Sequence, residues 1–449
     1  MTTSVQKRYP VRYWVTLLYF VGMPNFLHFD PTGRTQTFGL FNLTSLTDIV
    51  YTGVATAMLL ALTMLSREGL FVRRIRFDPA IWGTLLLSVT VATVLQPDAK
   101  FAIPKSTDIF LSLYRIWQWI LGVLLLLSLY SRESEEEAPA MLIQLIARMC
   151  WANLITIFVM APIVPSLAFV SEDAQVSSIP RLGGVAMHPG GVALAASVTF
   201  LHSLILLRGS RRFIGCAISF VALVLTYTRS AQVVFLVSVL IYALFLTRNR
   251  ALRWVGIAVV FLSLAGGVAL HSTIQQYLSR GQSQADVESF GGRVATWQTG
   301  MEAFYERPLL GYGFVAGPKN AMRDHWSESH WIPPHAHNDF VQAFMSGGII
   351  TGFIVIWLYL YTFYAGCRRA PTSPGHAFIF LVFFQVFATG MVSTNLTTGF
   401  GKPALFFVVA YLLFVVEGRK KTIPAQLQSR VWHGAPFLPG PEFVLSKHE

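Results

Sequence analysis

Apolar stretches of about twenty residues recur along this chain, and no other feature restricts its fold so strongly. Each is long enough to cross a hydrocarbon core of ~30 Å as one α-helix. Inside lipid every such segment must satisfy its own backbone N–H and C=O groups, which leaves helices or closed barrels. The continuous apolar windows select helices. Charge agrees, since 12% of the 449 residues are Asp, Glu, Lys or Arg, against about 25% in a soluble domain. Reading the windows against loop charge predicts about twelve spans, near 11–28, 44–66, 80–96, 109–130, 139–165, 190–207, 213–228, 230–247, 254–271, 341–365, 377–394 and 403–416. The expected fold is therefore all-α and polytopic. Residues 1–421 are read as a single transmembrane domain and 422–449 as a cytoplasmic C-terminal tail.

A net charge of +12 raises the question of a nucleic-acid partner, and its distribution answers against one. The cations sit in short juxtamembrane groups: Arg67, Arg73, Arg74 and Arg76; Arg208, Arg211 and Arg212; Arg248, Arg250 and Arg253; Arg368 and Arg369; Arg419, Lys420 and Lys421. Such groups mark cytoplasmic loops. With Lys7, Arg8 and Arg12 inside, strict alternation of the spans places every group inside and both termini in the cytoplasm. No small-residue cleavage site follows the first apolar stretch, which is read as an uncleaved span. Cys150, Cys216 and Cys367 fall in spans or beside basic loops, so no disulfide framework is expected.

The same alternation leaves 166–190, 227–231, 272–340 and 395–403 outside, the third a long loop before the tenth span. Outside loops are poor in cations as a rule, yet Arg181, Arg229, Arg280, Arg293, Arg307 and Arg323 all fall there. Arg229 sits in a tight turn between two spans, in "YTRSA", with no acidic residue near it in sequence. Two readings stand for these arginines. They bind an anionic ligand such as a phosphate or pyrophosphate through bidentate guanidinium contacts, or they snorkel to lipid phosphate or pair with distant carboxylates. Convergence of several with a histidine cluster favours the ligand.

That cluster lies in "HWIPPHAHNDFVQAFMSGGIITGF", 330–353, at the mouth of the tenth span. The HxHxD spacing of His335, His337 and Asp339 could hold a zinc ion, but the surrounding arginines disfavour a divalent cation. His335 reads as structural. His337 reads as a general base, because a neutral imidazole accepts a hydroxyl proton at working pH. Asn338 and Asp339 suit the polar first turn of a helix. Arg115 and Arg148 lie within spans; Arg115, nearer the outer face, could join the site, and Arg148 reads as paired or snorkelling inward. Trp297, Trp326 and Trp331 could stack on sugar rings or serve as interface anchors.

"RLGGVAMHPGG", "LTYTRSA", "GGRVATWQTGMEAFYERPLLGYGF" and "HAHNDFVQAFMSGGIITGF", in that order, resemble the O-antigen ligase and polymerase superfamily of bacterial inner membranes. The resemblance covers about residues 175–365 and departs in one place, reading "HPGG" where relatives often have "HPN". It implies a GT-C-like membrane glycosyltransferase of the Gram-negative inner membrane with its active site on the periplasmic face. The implied donor is an O-antigen on undecaprenyl pyrophosphate, and the implied acceptor is the lipid A–core oligosaccharide. It further implies inversion at the anomeric carbon without metal or other cofactor, with His337 as the essential histidine and Arg229 as its motif arginine. Arg280 and Arg293 match its basic positions. The pyrophosphate would then be held by Arg229 and Arg280 with Arg181 or Arg293, supported by Asn338 and Arg115. Membrane lipids are the expected surroundings, and nucleic acid is not a partner. An O-antigen or exopolysaccharide polymerase is the alternative, and a transporter of the same lipid-linked glycan is the rival of another class. Transport would need an inward-facing counterpart site, and the sequence offers none.

Overall fold

The computed structural model describes residues 9–22, 43–65, 78–98, 105–132, 137–170, 180–183, 188–254, 256–258, 292–327, 333–397 and 399–417. Helices stand where the apolar windows predict them. The first half of the chain supplies α1 (Val11–Gly22), α2 (Leu43–Leu65), α3 (Pro79–Val94), α4 (Lys105–Arg132) and α5 (Glu137–Ile163). Then come α6 (Pro189–Leu206), α7 (Gly209–Leu225) and α8 (Arg229–Ile241), the last continued by a π-helical turn through Leu246. The long segment before the tenth predicted span contains two helices that the apolar windows did not reveal, α9 (Arg293–Glu306) and α10 (Ala316–His325). The chain returns through α11 (Asp339–Arg369), α12 (Pro374–Gly390) and α13 (Lys402–Tyr411), with a second π-helical turn to Val416. Most of the predicted ninth span, 254–271, lies outside the described residues, as do Arg280 and the tail 422–449.

Among the described residues six helices are long and apolar enough to cross a membrane, and four shorter apolar helices accompany them. Strand structure among the described residues is a two-residue antiparallel ladder, β1 (Phe169–Val170) against β2 (Arg181–Leu182), with Val170 opposite Arg181. The protein is thus all-helical in architecture and polytopic in character.

The last helix forms the axis of the bundle. Every side chain from Ala404 to Val416 is buried, and α4, α11 and α12 pack around it. Helices α2 and α8 instead turn Val50, Val54, Leu60, Val233 and Leu236 outward. An all-apolar exterior is what lipid permits and water does not. Arg148, expected to pair or snorkel, stacks on aromatic faces: its guanidinium lies 4.3 Å from the ring centre of Tyr9 and 5.5 Å from that of Tyr13.

One discontinuity positions everything that follows. Helix α11 breaks at Gly347 (φ −139°, ψ 24°) and Gly348 (φ 67°, ψ −159°). A helix break inside a membrane protein strands backbone groups that must find partners. Here the partners come from "RPLLGYGF", the segment between α9 and α10. The Tyr312 N–H donates to the Met345 carbonyl (2.7 Å), the Gly313 N–H to that of Ser346 (2.9 Å), and the Ile349 N–H to that of Pro308 (2.8 Å). Only glycine fits at 348, since a Cβ there would lie 2.3 Å from the Leu309 carbonyl oxygen at a backbone angle L-residues avoid. The same segment reaches α3 and α4, where the Phe314 N–H donates to Thr93 Oγ1 (2.9 Å) and the Ser112 hydroxyl to the Phe314 carbonyl. The 308–314 segment is therefore stitched into the bundle by its main-chain groups.

Candidate active site at the mouth of the broken helix

The chain reaches α11 through "PHAHND", and each polar residue there has an assigned task. Asn338 is the N-cap: its Oδ1 accepts from the Phe340 N–H (2.9 Å) and the Val341 N–H (3.2 Å), and its Nδ2 donates to the Met391 carbonyl (3.0 Å). Asp339 is wholly buried. One of its oxygens accepts from the Asn395 N–H (2.8 Å), the Leu396 N–H (2.9 Å) and the Thr397 hydroxyl (3.0 Å); the other accepts from the Tyr359 hydroxyl (2.7 Å). The two adjacent residues thus clamp the 391–397 loop against the start of α11. With both oxygens of Asp339 committed to these donors, the HxHxD spacing does not present this carboxylate to a metal.

His337 lies just outside the clamp with a positive φ of 49°, uncommon for any residue but glycine. Its N–H donates to His335 Nδ1 (3.3 Å), and the two rings meet edge to face with centres 4.1 Å apart. Accepting at Nδ1 leaves the ring proton of neutral His335 on Nε2. Beneath this loop, α9 carries Arg293 as its first residue and packs along α11, with Gly300 facing Ala336, Val341 and Met345.

Electrostatics binds four residues into one group. Burial, then the His335 ring, Arg293 and His188 hold His337 far below the usual imidazole value, down to about 2. Burial, then Arg293 and His188 hold His335 down to about 4. Burial also lowers Arg293. His335 and His337 with Arg293 accordingly form a desolvated group in which both imidazoles are held toward the neutral form, with His188 acting on them from the start of α6. The sequence reading missed His188. It is the N-cap of α6, its Nδ1 accepting from the Gly190 N–H (3.1 Å), which puts its ring proton on Nε2. Its place before "PGG" inside a quoted motif was the available signal, since His-Pro at a helix start fixes both cap and tautomer.

The remaining predicted residues are distributed as follows. Arg181, buried on β2, donates from Nε to the Thr226 carbonyl (3.0 Å) and from a terminal nitrogen to Thr228 Oγ1 (3.1 Å). It thereby holds the turn that delivers Arg229 as the first residue of α8. Strand β2 lies against α6 and α7, so this turn and the His188 cap occupy the same end of the bundle. Arg115 takes a different place: it is bonded to Asp48 (3.1 Å) and Gln118 (2.6 Å), and it faces α10. Trp326 packs against the small core of α9 and α10 formed by Ala303, Tyr312 and Met322. Trp331 lies outside the described residues.

No curated protein matches the chain in sequence. A family model does match: that of the O-antigen ligases, over residues 214–356. The matched stretch contains Arg229, Arg293, the "RPLLGYGF" insertion, His335, His337, the Asp339 clamp residue and the Gly347–Gly348 break. The match of residues 214–356 to the O-antigen ligase family takes in Arg293, His335, His337 and the stitched break that supports them, with His188 outside it, and points to a glycosyl-transfer enzyme of the ligase and polymerase kind.

Proposed function

We propose that the protein is an O-antigen ligase, transferring a polysaccharide from undecaprenyl pyrophosphate to the lipid A–core oligosaccharide at the outer face of the Gram-negative inner membrane. The observation that carries the reading is the desolvated pair His335 and His337 beside Arg293, set in a membrane bundle and inside the ligase-family match. The donor pyrophosphate sits against Arg293, with Arg229 and Arg280 contributing and Arg181 holding the Arg229 turn. The acceptor hydroxyl oxygen attacks the anomeric carbon opposite the leaving group. Its proton passes to His337, the bond from that carbon to the pyrophosphate oxygen breaks, and the electron pair leaves on the pyrophosphate. Guanidinium groups stabilise the charge that develops there, so the reaction is read as inverting and independent of metal.

The low proton affinity of His337 in the free protein fits this scheme. A base held near 2 is too weak to accept a hydroxyl proton efficiently. Its weakness arises partly from cationic and imidazole neighbours, and a bound pyrophosphate reverses the sign of that field. One negative charge at about 6 Å, in an effective dielectric of ~20, is worth ~3 kcal/mol or about two pKa units. The base is thereby strengthened when the donor arrives. The test is transfer of glycan by purified protein with chelator present, comparing wild type with His337→Ala. The reading expects product from the wild type and a loss of ~10²-fold or more in the variant. Elongation of the donor glycan alone would make the enzyme a polymerase, and transfer undiminished in His337→Ala would remove the base.

A further inference from the structure

The loop that joins α12 to α13 is gripped from two sides. On one side stands the start of α11: Asp339 accepts from the Asn395 and Leu396 N–H groups and the Thr397 hydroxyl, and Asn338 donates to the Met391 carbonyl. On the other side stands α4. Trp119 Nε1 donates to the Leu396 carbonyl (3.1 Å), and its ring meets that of Phe400 edge to face with centres 4.6 Å apart. Phe400 lies so close along α4 that a Cβ at Gly122 would stand 2.5 Å from its ring. Buried Leu396 is therefore a bridge, with its N–H bonded to Asp339 (2.9 Å) and its carbonyl to Trp119. The same face of α4 reaches the far end of the first segment of α11. Ser112, two turns before Trp119 and so on one side of the helix with it, donates to the Phe314 carbonyl. Phe314 directly follows the Tyr312 and Gly313 N–H groups that hold the Met345 and Ser346 carbonyls. From Ser112 to Trp119 and from Asp339 to Ser346 the step is the same, about 10 Å of helix in each case.

We propose that Trp119 is a positioning residue for His337, acting through the peptide groups of Leu396 and through Asp339. The bonds between Asp339 and the loop fix those two parts relative to each other, and the loop must itself be fixed to the bundle. Asn395 ties it back to α12 through the Val386 carbonyl (2.8 Å) and Thr389 Oγ1 (2.9 Å). Trp119 supplies the matching tie across to α4, at a residue midway between Gly390 and Lys402. His337 stands two residues before Asp339 with a positive φ, a conformation that persists where the surroundings hold it. A general base works only within hydrogen-bond reach of the proton it takes, so an error in the clamp is an error in the distance to substrate. The first segment of α11 is thus held at both ends from one face of α4, at its start by Trp119 through Leu396 and at its break by Ser112 through Phe314. The role of His337 in this account rests on the ligase reading; the link from Trp119 to the start of α11 does not.

The test measures glycan transfer and amide hydrogen exchange on the purified full chain carrying Trp119→Phe, which keeps a ring beside Phe400 and removes the N–H. Loss of one neutral bond should lower kcat about 3- to 10-fold while the donor KM stays within about 2-fold of wild type. Trp117→Phe is the control. That indole lies on the opposite side of α4 and donates to Thr56 Oγ1 on α2 (3.2 Å), so kcat should keep its wild-type value. In the double variant Trp119→Phe, Asp339→Asn the two losses should not multiply, and kcat should match that of Asp339→Asn alone within about 2-fold. Exchange in Trp119→Phe should quicken about 3- to 10-fold at 338–341 as well as at 395–397. Wild-type kcat in Trp119→Phe, an equal loss in Trp117→Phe, losses that multiply in the double variant, or exchange that quickens at 395–397 alone would each overturn the positioning role. The expected exchange pattern with no glycan transfer by the wild type would instead overturn the ligase reading and leave the link from Trp119 to α11 standing.

Discussion

Asp339→Asn tests whether the clamp beneath His337 governs the reaction. The carboxylate receives four donors, at 2.7 to 3.0 Å, from the Tyr359 hydroxyl and from three groups of the 395–397 loop. Bonds to an ionised acceptor contribute about 1.5–3 kcal/mol each, against about 0.5–1.5 for neutral pairs. Conversion of four such bonds loses roughly 4 kcal/mol, and relief from burying a charge returns part of it. A net weakening of about 2 kcal/mol corresponds to ~30-fold in the equilibrium between closed and open clamp. Transfer assays on purified protein should show kcat lowered about 10- to 30-fold while the donor KM changes little. The thermal midpoint in detergent should fall as well. Tyr359→Phe, which removes one donor, should give the same pattern at about one quarter of the free energy. Wild-type kcat and midpoint in Asp339→Asn would refute the clamp, and a rise in KM at constant kcat would assign Asp339 to binding instead.

Stability should depend on pH through the histidine pocket. His335 and His337 are depressed in the folded state and unfolded imidazoles titrate near ~6.5. Their contribution is therefore complete above about 6.5 and declines as pH falls toward about 4, where the unfolded chain binds more protons. Thermal midpoints from pH 8 to pH 4.5 should show this decline, and His335→Gln should flatten it. Arg293→Gln removes a cation beside both rings, so donor KM should rise about 10- to 100-fold and the His337 resonances should titrate at higher pH. An unchanged KM would exclude Arg293 from the donor site. Gly348→Ala should cost ~3 kcal/mol or more of stability, read as a lowered thermal midpoint, since its Cβ would strike the Leu309 carbonyl. Gly53→Ala, with nothing within 4 Å of the new methyl, should be neutral or slightly stabilising.

The spans were legible because hydrophobicity persists over about twenty residues whichever helix packs where. Helices α9 and α10 were not, because they lie outside the apolar windows and are held by neighbours distant in sequence. Arg293 and His337 could be chosen from charge type and placement. His188 could not, since it acts on His337 only once the fold brings the start of α6 near the start of α11. Asp339 read as a possible metal ligand because spacing reports which residue types are close, and says nothing of the loop 56 to 58 residues later that saturates the carboxylate. The bond between Arg115 and Asp48 was not legible, because the two stand on different helices far apart in sequence.

The stitched break in α11 has a consequence for exchanging parts between relatives. Residues 308–313 and 345–349 form one hydrogen-bonded unit although some thirty residues of chain separate them. A 292–327 segment transplanted from a relative in the matched family would arrive with a backbone path shaped to a different break. The recipient helix would then keep stranded carbonyls in a place that water does not reach. A functional chimera must carry both halves of the seam, so the boundary at which this protein can be cut and rejoined lies inside the helix, beyond Ile349, and not at the visible end of the loop.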